Sequence, residues 1–286
     1  RRQDDLSGLG HLAAVGVAFV VMAALVRTLR SQGFFAGGRT APDLLSLLDL
    51  VALGTVCDVV PLTGLNRAFV LKGLRVMARR ERAGLRALAD AARLAGPPTA
   101  HHLGFLLGPR INAGGRIGEA GLGLKLLVSE DDAEAERIAA VLDGLNGERQ
   151  AMEQAALAEA EAALLPETMA EAPPPVLQVA DAGWHPGVVG LVASRLKERH
   201  RRPALAIALG PDGRGTGSGR SIPGVDLGAA VRAAVEAGLL EKGGGHAMAA
   251  GVTVAADRVA ALGAFLCERL AADVEAARRA DALAID

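Results

Sequence analysis

The sequence predicts an α/β protein in which a mainly helical first part is joined by one long helix to a smaller α/β domain. Three observations predict it. From Ser129 to Leu165 the chain is rich in Ala, Glu and Leu and free of proline, a composition that favours continuous helix. Pro173-Pro174-Pro175 then stops regular structure. Beyond the prolines, short apolar runs alternate with helical patterns, as in an α/β unit.

At 286 residues with 51% hydrophobic residues, the chain is long and apolar enough for two folded domains. A formal net charge of −1 gives no global attraction to nucleic acid. A polyanion would be held by a local cluster such as Arg195, Lys197, Arg199, Arg201 and Arg202. The same cluster also reads as the solvated end of a helix. Cys57 and Cys267 are far apart and lack a CxxC spacing, which excludes a disulfide framework and a thiolate zinc site. That usage fits a cytoplasmic location. The uncharged run Leu12 to Val26 is short for a membrane span and reads as a buried helix, so no membrane partner is expected. Asp4 and Asp5 before it argue against a signal peptide. The first residue is Arg1 rather than methionine, and the chain reads as a truncated piece.

The elements follow in order. Residues 10–31 read as one helix. The apolar segment Leu44 to Leu53 continues into Gly54-Thr55-Val56-Cys57-Asp58-Val59-Val60-Pro61, a strand or helix end that delivers Asp58 to a loop edge before Pro61. Asn66 to Arg82 and Gly84 to Leu94 suit helices with basic outer faces, and Gly108 to Arg116 reads as a glycine-rich turn. Ser129 with Asp132 resembles a capping box opening the long helix, which Gly144 and Gly147 weaken by about 1 kcal/mol each. After the prolines come a strand at 176–180, a helix at 188–199, a strand at 204–209, a helix at 225–237, a strand at 251–254 and a helix at 258–278.

Five places carry candidate chemistry. Asp58 is either a cap or a metal ligand, because a carboxylate among Val and Cys wants a cation. Arg110, Asn112 and Arg116 gather several donors in a short segment, and guanidinium groups grip phosphate in bidentate fashion. If 217–222 is extended, Ser218 and Arg220 share a face and form a clamp for a terminal phosphate. Gly243-Gly244-Gly245-His246 reads as a loop that lets an anion approach backbone N–H groups, with His246 as a further donor. His185 lies at a strand-to-helix turn where substrate can reach it, and Trp184 is the one good candidate for stacking on a base. The pair His101-His102 has no nearby carboxylate and reads as a surface turn.

Taken in order, the segments at 53–62, 107–116, 184–190, 217–221 and 243–246 resemble the RecJ single-strand-specific exonucleases of the DHH phosphoesterase superfamily. The resemblance covers nearly the whole chain. It implies the C-terminal part of a DHH domain over 1–128, a connecting helix over 129–172, a DHH-associated domain over 173–274, and the start of an OB-type domain over 275–286. It also implies two Mn²⁺ or Mg²⁺ ions with Asp58 as one ligand, and single-stranded DNA with a 5′ end as substrate. Single-strand-binding protein and a helicase are the implied partners, in recombination and repair. Arg110 or Arg116, together with Ser218, Arg220 and the loop ending at His246, would hold the strand. The family's other ligands, including an Asp-His-His triplet, are absent from this sequence, so the chain by itself is expected to be inactive. Two other readings stay open: a DHH-superfamily phosphodiesterase acting on oligonucleotides or cyclic dinucleotides, and a non-catalytic nucleic-acid-binding scaffold.

Overall fold

The computed structural model describes residues 6–280, and the chain divides into two compact units, Arg1–Asn146 and Gly147–Asp286. In the first unit, helix α1 (Ala14–Ser31) touches the rest of the unit along one narrow side, where Gly16 lies over the Phe69 ring. The expectation of a buried helix is not met. Only Gly16 and Val26 of α1 are buried, while Val17, Val21, Met22 and Leu25 are exposed. Its apolar residues run all round the helix, and only one side finds a partner. By length and composition α1 is apolar enough to cross a membrane, with mean hydropathy 1.6 and 11% of its residues buried.

The segment ending at Asp58 is helical rather than extended. Helix α2 (Leu48–Cys57) has Asp58 as its C-cap and lies against helix α3 (Gly64–Met77). Helix α4 (Ala83–Ala91) is tied to α2 through Arg82, whose guanidinium donates to both oxygens of the buried Asp49 at 2.8 and 3.2 Å.

The expected glycine-rich turn at 108–116 is also a helix. Helix α5 (Ala100–His102), a π-helical turn (Leu103–Leu107) and helix α6 (Gly108–Ile117) follow without interruption. The glycines serve packing here. A Cβ on Gly108 would stand 2.5 Å from Cys57 Sγ, so only glycine lets this rod meet the end of α2. Helix α7 (Leu122–Val128) leads to helix α8 (Asp132–Thr168). The cap of α8 is Asp131, whose carboxylate accepts from Glu134 N–H at 2.7 Å. The Ser129–Asp132 box is therefore corrected: Ser129 instead donates to the Glu134 carboxylate.

The second unit is built on a five-stranded sheet of order β1-β2-β3-β5-β4. Its strands are β1 (Leu177–Asp181), β2 (Ala204–Leu209), β3 (Arg214–Arg220), β4 (Lys242–His246) and β5 (Ala249–Ala255). Only β1 and β2 are parallel, joined through helix α9 (Val189–His200), as a crossover requires. Helices α10 (Leu227–Glu236) and α11 (Val259–Ala280) cover one face, with Leu205, Ile207, Val252 and Val254 pointing into their core. On the other face, Ala204, Ala206 and Ala208 meet α9 and the later turns of α8. Helix α11 continues through 275–280, where the start of a following domain was expected, and 281–286 lie outside the described residues.

Candidate functional site

Strand β3 has the extension needed to bring Ser218 and Arg220 together. Arg220 Nη1 donates to Ser218 Oγ at 2.8 Å and to the Gly219 carbonyl at 2.9 Å. Both side chains stand on the α9 face, because the alternate residues Gly215, Gly217 and Gly219 point into the opposite core. Arg220 is half-buried, and loss of solvent pulls its guanidinium below the usual arginine range. It forms no ion pair among the described residues. A half-buried cation without a carboxylate keeps part of its charge uncompensated.

The first turn of α9 lies directly over this pair. A Cβ on Gly190 would stand 3.0 Å from Arg220 Nη2 and 3.2 Å from Ser218 Oγ. The early N–H groups of a helix lack intrahelical acceptors and carry the positive end of its dipole. Guanidinium, hydroxyl and helix end thus converge on one space, the combination that binds phosphate.

Register extends the site sideways. Arg220 pairs with Ala249, which pairs with His246, and Ser218 pairs with Gly251, which pairs with Gly244. These two rows share one face of β3, β5 and β4. Gly244 and Gly251 would meet nothing within 4 Å if a Cβ were added, so the floor beside the clamp is open. The stretch at 243–246 is therefore an edge strand, correcting the loop reading. Glycines on both sides let α10 lie close: a Cβ on Gly243 would stand 2.7 Å from the Val231 side chain, and a Cβ on Gly228 of α10 would stand 2.9 Å from the His246 carbonyl oxygen. His246 itself is exposed at the end of β4. Gly190 falls within the 184–190 motif segment, but sequence reasoning gave neither it nor Gly251 a part in the site; those parts emerge only from the approach of α9 to β3 and from strand pairing.

Other candidates fall elsewhere. Trp184 is buried, packs with Ala156 and Ala160 of α8, and donates from Nε1 to Glu159 at 2.7 Å. Its ring is occupied by the core, which removes the base-stacking reading. His185 is exposed in the turn before α9, and its Nδ1 accepts from Gly187 N–H at 3.0 Å, so in the neutral ring the proton sits on Nε2. The basic cluster is largely neutralised along α8: Arg195 meets Glu153, and Arg199 and His200 meet Glu161. Arg202 spends its guanidinium on the carbonyls of Pro173 and Pro174.

Within the first unit, Arg110 is engaged by Asp143 at 2.8 Å and by the Leu106 carbonyl, a bond pattern that secures α6 to α8. Asn112 is exposed and Arg116 half-buried on the same helix. Asp58 is exposed and is followed by Val59 at φ 54°, a left-handed conformation that costs a β-branched residue about 1–3 kcal/mol. Burial raises the neighbouring Cys57 thiol, which stays protonated and faces the Leu103 carbonyl at 3.7 Å. Among the described residues no group of three or more His, Cys, Asp or Glu side chains could hold a metal ion. Asp58 is a lone carboxylate, short of the oxygen set a Mn²⁺ or Mg²⁺ ion needs, so no catalytic step through a metal follows from this chain.

Residues 174–272 match the DHHA1 domain family. The chain is 46% identical over 255 residues to the single-stranded-DNA-specific exonuclease RecJ of Dickeya dadantii (strain 3937). Over this stretch the chain is homologous to RecJ. The match covers 86% of this chain and 44% of the Dickeya RecJ, so the chain spans less than half of that relative's length. RecJ from Thermus thermophilus in complex with Mn²⁺ superposes with a TM-score of 0.70 and 37% identity, over 82% of this chain and 34% of that one. The same enzyme has been solved with Mg²⁺. Another exonuclease RecJ bound to manganese gives a TM-score of 0.72 at 36% identity, over 91% of this chain and 62% of its own. The mixed α/β fold with a long helix and a small sheet is thus that of the RecJ structures.

Proposed function

We propose that this chain is the strand-holding part of a metal-dependent nuclease that hydrolyses single-stranded DNA from its 5′ end in recombination and repair. The observation that carries the reading is Arg220: half-buried, without an acidic partner among the described residues, and joined by Ser218 and the first turn of α9 over an open sheet face. A 5′-terminal phosphate carries one more charge and one more free oxygen than an internal diester. A guanidinium, a hydroxyl and a helix end in one space favour that dianion. The strand then runs over the small residues Ala249, Gly251 and Gly244 toward His246. Asn112 and Arg116 are strand contacts in the first unit, Asp58 contributes one ligand to a metal centre completed outside this chain, and single-strand-binding protein and a helicase are partners of the whole protein. Similarity to proteins named single-stranded-DNA-specific exonuclease supports the substrate class.

The test is Arg220→Ala in the whole protein, with fluorescent single strands bearing either a 5′-phosphate or a 5′-hydroxyl. The wild type is expected to bind the phosphorylated strand more tightly, and the variant is expected to lose about tenfold or more of that affinity. Unchanged preference in the variant rejects the clamp.

A further inference from the structure

The rod formed by α5, the π turn and α6 carries an aromatic feature that the phosphate clamp does not use. Phe105 is 71% exposed, and the His101 ring lies against it at 4.7 Å between centroids and 25° between planes. Leu103 and Leu107, four residues apart on one side of the π turn, are both fully buried and Gly108 reaches Cys57, so Phe105 stands on the opposite, outward side. Such π insertions inside helices recur at functional sites.

The placement is specific. The rod packs on the end of α2: a Cβ on Gly104 would lie 3.4 Å from Val56, and Gly108 abuts Cys57, the residue before Asp58. Continuing along the same side turn by turn leads from Phe105 to the half-buried Pro109, the exposed Asn112 and the half-buried Arg116. A two-ring surface therefore adjoins polar groups on the helix that packs against the candidate metal ligand's turn. Stacking on such rings is sequence-tolerant, since every base offers a π face.

We propose that Phe105, backed by His101, is a stacking platform for an unpaired nucleobase of the bound strand. The inference rests on the single-strand reading above and names a base-contacting site for it. Phe105 makes its contact with the base itself, while Asn112 and Arg116 lie farther along the same side.

The experiment uses the whole protein without divalent metal and measures binding of a fluorescent oligothymidylate and a series of the same length with a single abasic site moved along it. Phe105→Ala is expected to weaken binding of the intact oligomer by about tenfold, within the range of one lost stack. One abasic position is expected to weaken the wild type to a similar degree and to add nothing to the variant. Phe105→Trp is expected to restore affinity and to show indole quenching on binding. If wild type binds the oligomer and Phe105→Ala binds it equally, or if every abasic loss persists in Phe105→Ala, the platform is wrong while the single-strand reading stands. If the wild type binds no single strand, the single-strand reading fails, and the platform with it.

Discussion

At the scale of single residues, Gly190 decides how the proposed phosphate clamp is built. Its missing side chain lets the first turn of α9 come within contact of Arg220 and Ser218, two groups supplied by a different element. A methyl group there would press on the ends of two polar side chains rather than on backbone, so they can swing away at small cost. Gly190→Ala is accordingly expected to change stability by under about 1 kcal/mol while moving the guanidinium off the helix axis. Binding of a 5′-phosphorylated single strand is expected to fall about tenfold, with urea unfolding nearly unchanged. Equal losses in stability and binding would mean that the glycine serves packing alone. Trp184 teaches the converse. The sequence shows an indole beside His185 but not the Glu159 carboxylate that receives its N–H from 25 residues away. A lone tryptophan is as suited to stapling a helix as to stacking on a base, and only the partner distinguishes them.

At the scale of elements, the glycines at 243–245 show how much of the site was legible. Their composition marks a surface without side chains, and that property holds. It does not reveal whether the segment is a loop or a strand, because pairing with β5 and cover by α10 are long-range facts. The two readings of glycine separate by substitution. Gly244 has open space where a Cβ would be, whereas a Cβ on Gly245, at φ 154°, would collide with the Ala249 carbonyl oxygen. Gly245→Ala is expected to cost about 2 kcal/mol or more and to lower the melting temperature by several degrees. Gly244→Ala is expected to melt with the wild type yet bind a single strand less tightly, because its methyl rises from the floor. Thermal unfolding of both variants checks the pair. The same distinction explains 108–116, where small residues that suggest a turn instead permit close helix packing around Cys57. Local composition announced that backbone approaches something, and tertiary contacts determined what. By contrast, α8 was readable from sequence as far as Leu165, since propensity and freedom from proline are local there, while its capping residue shifted to Asp131 and its end runs on through Pro166 to Thr168.

At the scale of the whole molecule, holding and cutting make different demands on the chain. The proposed phosphate clamp lies entirely within the second unit, where Arg220, Ser218 and α9 are all present and mutually oriented. Cutting by a Mn²⁺- or Mg²⁺-dependent route needs several oxygen ligands, and Asp58 is a single exposed carboxylate with no acidic cluster around it among the described residues. A lone carboxylate in water binds such ions weakly and keeps them hydrated. Residues 1–286 by themselves are therefore expected to show no Mn²⁺-dependent nuclease activity, and calorimetry is expected to find no tight Mn²⁺ site. Binding of a 5′-phosphorylated single strand should nevertheless persist, lost on Arg220→Ala, because its determinants do not depend on the metal. The measurement pairs strand binding in EDTA with degradation of a labelled single strand in Mn²⁺, using a preparation of Asp58→Ala purified in parallel to expose contaminating nucleases. Cleavage by the wild-type chain that disappears in Asp58→Ala would show that this chain assembles a working centre by itself, and the division between a holding unit and ligands supplied from outside would be wrong.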